Sequence, residues 1–262
     1  MPTSASAQGR LDATYNVTLA GIPIGKGDWS IDISDTHYTA TASGKTTGLM
    51  HVLTGGQGET SGTGTFANGQ LQSATYLSNI ISHKKTDSIR LVVDDGNVKE
   101  AKIDPPTDPD PERVPITEAQ QHGILDPMSA VLLRSPGTGE AISAEACQRT
   151  VPIFDGRIRY DLHMAYKRME QVKVDKGYAG PAVVCAVYFT PVGGYVPSRF
   201  AIRYITKMRD MEIWLAPIAG TRVLVPIRAQ GPTPLGPVVM AAEKFVSLAT
   251  PAKASANGSK TQ

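Results

Sequence analysis

Apolar and polar side chains alternate with a period of two along most of this 262-residue chain. The clearest run extends from Arg157 to Tyr166, and its apolar face consists of Ile158, Tyr160, Leu162, Met164 and Tyr166. A helix would spread both sets of side chains around its axis, so the pattern predicts a strand with one buried face. Similar alternation over residues 11–19, 29–33, 71–81, 88–93, 211–216 and 238–246 predicts further strands.

Turn signals separate these segments. The dipeptides Asp95-Gly96 and Asp155-Gly156 are typical of tight hairpin turns, and 25 glycines with 19 prolines indicate many turns and few long helices. Residues 182–190 are apolar on both faces, as in a central strand. We expect ten to twelve short strands in a mostly antiparallel β-protein.

One helical stretch is predicted, from Thr117 to Arg134. Thr117 with Gln120 fits a capping box, and Asp126-Pro127 restarts the helix as an N-cap followed by proline. A second, short helix is expected around residues 200–207. The predicted fold class is mainly β: a single-domain antiparallel curved sheet, an open β-barrel or β-spiral, that wraps a short broken helix.

The chain ends differ from the middle in composition. Ala5-Ser6-Ala7 has the small-x-small form of a signal-peptide cleavage site, so residues 1–10 are interpreted as a signal-peptide remnant or flexible N-terminus. The alternative is an unstructured chain end with alanines there by chance. Residues 11–247 form the predicted β-rich domain, and residues 248–262, rich in Ala, Lys and Ser, are predicted to be a disordered tail.

The chain has two cysteines, Cys147 and Cys185. In an exported protein they would form a disulfide, and in a reducing compartment they would be two buried thiols. Because the N-terminus is interpreted as a signal-peptide remnant, export is expected and the disulfide is favoured.

Composition excludes several function classes. A net charge of +2 gives no sign of binding to nucleic acid or to an anionic membrane. No apolar run approaches the roughly 18 residues that a membrane-spanning helix needs.

The sequence contains no recognisable catalytic, metal or cofactor motif. Its five histidines (His37, His51, His83, His122 and His163) lack metal-ligand spacing, and no activated-serine motif is present. Glycines recur from Gly55 to Gly64 without matching a phosphate loop, and they indicate a strand that another backbone or the core approaches closely. His163 beside Asp161 is the best acid–base candidate, although a solvated polar face explains it more simply.

Two sets of residues are candidates for binding. A cationic cluster for anions or lipid headgroups would consist of Arg157, Arg159, Lys167, Arg168 and Arg222, joined by Arg228 if the later hairpin is adjacent. The alternative is an ordinary sheet face on which cations prevent edge pairing. An apolar cavity would be lined by Ile158, Tyr160, Leu162, Met164, Val183, Val187, Phe189 and Trp214.

Five segments resemble the proteobacterial domain of unknown function 3108. They are GILDPMSAVLLR, CQRTVPIFDGRIRYDL, GYAGPAVVCAVYFTPVGGY, IWLAPIAGTRVLVPIR and TPLGPVVMAAEKF. The resemblance implies a periplasmic protein, exported by a signal peptide, with paired cysteines at Cys147 and Cys185 and no assigned activity. By looser analogy, envelope carriers of lipids and lipoproteins have an open barrel that wraps a helix.

These observations lead to one leading hypothesis and two alternatives. The leading hypothesis is a non-enzymatic periplasmic protein, without a cofactor, that binds lipid, lipoprotein or a protein partner in envelope maintenance. The first alternative is an envelope hydrolase acting on peptidoglycan or lipid, which would need a water-accessible cluster at Asp161 and His163. The second is a structural module that binds another protein along a sheet edge.

Overall fold

The computed structural model of the chain describes residues 8–67 and 70–249. The strands of this part are β1 (Gly9–Leu19), β2 (Ile22–Ile33), β3 (His37–Thr46), β4 (Gln57–Ala67), β5 (Gln70–Ile81), β6 (Thr86–Asp94), β7 (Asn97–Asp104), β8 (Leu133–Arg134), β9 (Arg149–Phe154), β10 (Arg159–Lys173), β11 (Lys176–Gly177), β12 (Ala179–Gly193), β13 (Met211–Pro217), β14 (Val223–Gly231) and β15 (Val238–Ala249). The α-helices are α1 (Gly48–Thr54), α2 (Pro127–Ala130) and α3 (Phe200–Lys207). Two 3₁₀ turns, Glu118–Gln121 and Ala144–Cys147, complete the list.

All fifteen strands of the described part belong to one sheet. Its order is β7-β6-β5-β4-β3-β2-β1-β15-β14-β13-β12-β10-β9, with β11 beside β15 and β8 beside β14. The strand pairs are antiparallel except β11 with β15. The predicted class, mainly β with an antiparallel open sheet, is confirmed. The predicted strand number was too low, partly because β8 and β11 have two residues each and show no alternation.

The sheet curves until its two edges approach each other. The chain at Ile124 and Leu125 lies between them: the Ile124 N–H donates to the Gly96 carbonyl beside β7 (3.0 Å), and Leu125 N–H donates to Pro152 of β9 (2.8 Å). An ion pair between Arg157 and Asp87 (3.0 Å) also links the start of β10 to β6. The result is an open barrel whose gap is bridged by the connecting segment.

The predicted helix from Thr117 to Arg134 is much shorter in the structure. Gln120 accepts the Thr117 N–H (3.1 Å), as the capping box predicts, but the helical turn ends at Gln121. Gly123 then adopts a left-handed conformation (φ 65°), so the chain cannot continue as a helix. Helix α2 restarts at Pro127 with Asp126 as its N-cap, as expected, and has four residues. Helix α1 was not predicted.

Asp126 fixes α2 against the inner face of the sheet. This side chain is fully buried, and its Oδ1 accepts the backbone N–H groups of Met128 (2.8 Å) and Ser129 (3.0 Å). Burial raises the pKa of the Asp126 carboxyl above its ordinary value, although its hydrogen bonds oppose the shift. A Cβ atom at Gly62 would lie 2.8 Å from the Cβ of Met128, so the glycine on β4 permits this close packing.

Replacing Asp126 with alanine is expected to lower the free energy of unfolding by about 2 kcal/mol, because two buried N–H groups lose their acceptor. Asp126→Asn should cost clearly less, since the amide oxygen still accepts and carries no buried charge. Urea unfolding followed by circular dichroism measures both values. Equal losses for the two variants would contradict the N-cap role.

Two hydrophobic clusters lie on opposite faces of β12. The larger cluster contains Leu11, Ile31, Leu91 and Phe245, and Met128 of α2 packs into it. The second surrounds Cys147 and Cys185, with Met164 of β10. Tyr160, Leu162 and Met164 share this face as the alternation predicts, whereas Tyr166, beyond the last residue of β10 that pairs with β9, is exposed.

The folded region extends beyond the predicted limits of 11 and 247 at both ends. Strand β1 starts at Gly9, which pairs with Ala249 at the end of β15. Residues 1–7 and 250–262, which hold most of the predicted signal remnant and most of the predicted tail, lie outside the described residues.

Candidate functional site

A row of glycines crosses three neighbouring strands on the inner face of the sheet. Gly27 of β2 pairs with Gly44 of β3, and Gly44 pairs with Gly58 of β4. Tyr15 of β1 and Ile80 of β5 end the row on either side. Because glycine has no side chain, the row forms a trough that runs across the strands.

A second, adjacent row widens the trough. Gly25 pairs there with Thr46, whose backbone N–H donates to the Gly56 carbonyl (2.8 Å). Neighbouring rows on one face of a sheet are about 7 Å apart. Thr46 has the single side chain in these two rows, so the trough is wide. The trough therefore consists of four glycines in register on three strands, Gly25, Gly27, Gly44 and Gly58, together with Gly56 immediately before β4.

Aromatic and aliphatic side chains wall the trough. Trp29 lies beside the first glycine row and packs at a tilt against Tyr15, with ring centroids 5.0 Å apart. The Tyr15 hydroxyl is itself satisfied, because it donates to the Pro226 carbonyl (2.7 Å). Further lining comes from Val17, Ile24, Ala42, Ile80 and Met240. We name this site, with a volume of about 490 Å³, the glycine groove.

A larger cavity of about 830 Å³ lies over the same strands and has a different chemical character. Its lining includes Asp12, Ser30, Thr41, Ser61 and Arg90, which lie on the face of the sheet opposite to the core. Asp12 accepts hydrogen bonds from Arg10 (3.0 Å) and Ser30 (3.1 Å), and the Arg10 hydrogen bond lowers the pKa of Asp12. Such a carboxylate holds its proton poorly, so it is unsuited to act as a general acid.

The structure does not bring the five predicted cations together. Arg157 binds Asp87 and the Pro105 carbonyl (3.0 Å each), so it fastens a loop to β6. Arg159 is nearly buried and pairs with Asp161 (2.6 Å). Arg222 donates to backbone carbonyls of the loop after β8, among them that of Pro136 at 2.7 Å. These three arginines hold the chain in place rather than facing a ligand.

Lys167 and Arg168 lie at a different point of β10, where both bind Glu212. Although burial favours the neutral acid, hydrogen bonds from the two cations lower the pKa of Glu212. The guanidinium groups of Arg168 and Arg228 lie 5.4 Å and 4.8 Å from the centroid of the Trp214 ring. Arg228 therefore lies near Arg168, in a cluster neutralised partly by Glu212.

The side chains expected to line an apolar cavity instead pack against one another. Tyr160, Leu162, Met164, Val183 and Val187 belong to the cluster around the cysteines. Phe189 packs at a tilt against Tyr160 (5.1 Å between centroids), Ile158 is half-buried, and Trp214 belongs to the other cluster. None of the eight lines a cavity described above. Cys147 and Cys185 are joined as a disulfide, with their Cα atoms 5.4 Å apart.

The acid–base candidates have separate partners. His163 Nδ1 lies 2.9 Å from the Thr150 hydroxyl, whereas Asp161 binds Arg159. Within residues 8–67 and 70–249, no three His, Cys, Asp or Glu side chains are grouped closely enough to hold a metal ion. In the same part of the chain, no helix has both the length and the apolar character needed to cross a bilayer.

Sequence reasoning noticed the glycines of β4 but missed the groove. It interpreted Gly55 to Gly64 as a place of close approach, which is correct for Gly62 against Met128. Gly58 has another role, because only its register with Gly44 and Gly27 makes the trough. The available signal was the recurrence of glycine at inner positions of the three consecutive strands β2, β3 and β4, but these glycines lie outside the segments that the alternation predicted as strands.

The fold and the groove define a class of protein: a single β-barrel-like domain, open at one side, with an apolar trough on its inner face. The chain belongs to the family described as Protein of unknown function (DUF3108), which matches residues 14–243. No curated protein matches the chain.

One solved structure with a similar fold is a beta-barrel-like protein of domain of unknown function DUF1849 from Brucella abortus. The TM-score is 0.52 at 12% identity, and the match covers 93% of this chain and 99% of that chain. At this level of identity the likeness shows the fold alone. Neither family carries an assigned activity.

Proposed function

We propose that the protein is a non-enzymatic component of the bacterial cell envelope, located in the periplasm, that binds the acyl chain of a lipid or lipoprotein in the glycine groove. The observation that carries the proposal is the row Gly27-Gly44-Gly58 between Tyr15 and Ile80. It leaves an apolar surface open without any side chain to fill it. An acyl chain gains free energy in proportion to the apolar area that it covers.

The dimensions and chemistry of the groove support this ligand class. A volume of about 490 Å³ lies within the usual range for small-molecule sites. The groove is lined by Trp29, Ile24 and Met240 among other apolar groups, and a flexible methionine adapts its shape to different chains. The cavity of about 830 Å³ on the other face, the polar cavity, also has apolar lining residues such as Leu77 and Ile103, but hydroxyl and charged groups make up a larger share of its lining than of the groove's.

The disulfide supports the proposed compartment. Structural disulfides persist in oxidising compartments such as the periplasm and are rare in the bacterial cytosol. The bond between Cys147 and Cys185 is buried within a core cluster, as expected for a structural rather than a redox-active pair.

Brominated fatty acids test the proposal because bromine quenches tryptophan fluorescence at contact. The chain has two tryptophans: Trp29 lines the groove and also borders the polar cavity, whereas Trp214 lines neither. We expect saturable quenching in the wild type and in Trp214→Phe, where Trp29 is the sole emitter. Trp29→Phe should show little quenching.

Two results with the same three proteins would contradict the proposal. Quenching that persists in Trp29→Phe and disappears in Trp214→Phe would place the acyl chain near Trp214 and reject the groove. Absence of saturable quenching in the wild type would reject acyl binding altogether. Native mass spectrometry of protein purified from the periplasm provides an independent readout, since a bound lipid appears as a mass increment.

A further inference from the structure

Four connections meet at one end of the sheet. They are the β1–β2 turn at residues 20–21, the chain of α1 from 47 to 56, the β5–β6 turn at 82–85 and the β14–β15 turn at 232–237. Three backbone hydrogen bonds tie them to each other or to the adjoining strand: Thr47 N–H to Ile24 (2.9 Å), His83 N–H to Thr54 (2.9 Å) and Ala20 N–H to Pro237 (2.8 Å). We name this surface, with the strand ends beside it, the tip.

The tip exposes large apolar side chains. The most exposed are Leu235 (75%), Val52 (73%) and Ile22 (67%), each on a different connection or strand end. Ile80 and Ile81 at the end of β5 add to them. Ten large hydrophobic side chains are exposed in the described part of the chain, so half of them are concentrated at this one end. Clustered exposed apolar groups mark an interaction surface, whereas scattered ones need no explanation.

Lysines surround these apolar groups. Lys26 pairs with Glu243 (3.6 Å) and Lys85 with Asp87 (3.4 Å). Lys45 and Lys84 are exposed, and within the described residues no carboxylate lies within 4.0 Å of either ammonium group. His51 and His83 lie at the same end. The charge without an ion pair nearest the connections is therefore positive, since Asp28 and Glu59, which share a depression with Lys26 and Lys45, lie two residues farther along β2 and β4.

We infer that the tip docks onto a bilayer surface that contains anionic lipid. Protruding Ile, Leu and Val side chains enter the headgroup boundary of a bilayer, while lysine ammonium groups contact anionic headgroups. A protein partner of low charge would match the apolar groups but would leave the lysines without a complement. The inference goes beyond acyl binding, because docking requires only the tip and not the groove.

The position of the groove adds a reason for docking at this end. Ile24, Gly56 and Ile80 line the glycine groove and also adjoin the tip. A molecule held at the bilayer by the tip would thus open its groove beside the lipid. A lipid could then pass between the bilayer and the groove without its acyl chain crossing water.

Vesicle flotation tests docking directly. The probes are vesicles of phosphatidylcholine alone and vesicles containing phosphatidylglycerol. We expect the wild type to float with the second kind, and Lys45→Glu combined with Lys84→Glu to bind about tenfold more weakly. Lys99→Glu combined with Lys173→Glu is the matched control, because it reverses two exposed lysines outside the tip and should retain binding within about twofold of the wild type.

A second variant tests the apolar contribution. Val52→Asp should weaken binding to the vesicles that contain phosphatidylglycerol, and its unchanged thermal unfolding would show that the fold is intact, since Val52 is solvent-exposed. Equal loss in the two lysine variants, or no flotation of the wild type, would overturn the inference. So would a wild-type dimer in sedimentation that Val52→Asp dissociates without any effect on flotation. Gly44→Leu, which obstructs the groove, should still float, so a failure of docking is distinguishable from a failure of acyl binding.

Discussion

Gly44→Leu is expected to weaken acyl-chain binding by about tenfold or more, because a side chain in the middle of the trough occupies the space that the ligand needs. A Cβ atom at Gly44 would lie 3.4 Å from the Lys26 carbonyl oxygen and 3.9 Å from the Gly27 Cα, which are ordinary contacts. The backbone there is extended, so leucine causes no strain. Titration with a brominated fatty acid, read through Trp29, measures the loss.

Thermal unfolding provides the first control for this variant. Leucine favours a strand more than glycine does, so the melting temperature of Gly44→Leu should equal or exceed that of the wild type. Weaker binding by a protein of undiminished stability cannot be ascribed to misfolding.

Thr41→Leu is the matched variant on the same strand. Thr41 points to the opposite face of β3 and lines the polar cavity. Acyl binding should persist in this variant. If it is lost there and kept in Gly44→Leu, the ligand occupies the polar cavity and the proposed function is rejected.

Removal of the disulfide is expected to have the largest effect on stability. The bond joins positions 38 residues apart, and closing a loop of this length stabilises the fold by about 4 kcal/mol on the chain-entropy model. Cys147→Ala combined with Cys185→Ala should lose a large part of this amount in urea unfolding at neutral pH. Both cysteines are fully buried in a cluster, so the missing sulfur atoms add a smaller packing loss.

A reducing agent separates the two contributions. Dithiothreitol should destabilise the wild type and leave the double-alanine variant unchanged, because only the wild type has a bond to lose. If the wild type unfolds at the same urea concentration with and without reductant, the two sulfurs are not bonded in solution.

The net charge of this protein does not reveal the positive surface at the tip. A balance of 26 basic and 24 acidic residues offers no argument for an anionic partner. The structure nevertheless gathers unpaired lysines beside exposed apolar groups at the tip, while Arg157, Arg159 and Arg168 are neutralised elsewhere. A local surface of a few residues is sufficient for interfacial binding, and the net charge of the whole chain does not show the charge of such a surface.

The strands of this protein could be predicted from its sequence because their signal is local. A buried strand face requires an apolar side chain at every second residue, so the alternation from Ile158 to Met164 identified β10 directly. The same reasoning located the Asp155-Gly156 turn and the Asp126 N-cap, since both depend on neighbouring residues alone. The helix from Thr117 was overextended because Gly123 breaks it without disturbing the apolar pattern.

The groove and the tip were decided by the tertiary structure. Gly27, Gly44 and Gly58 are ordinary strand glycines in the sequence, and only the pairing register places them side by side. Likewise, Ile22, Val52 and Leu235 are more than 200 residues apart at their extremes and meet only because four connections lie at one end of the sheet. Local pattern determines which residues form a strand and which face is buried. The register between distant segments determines which glycines lie side by side on neighbouring strands, and no single stretch of the chain contains that information.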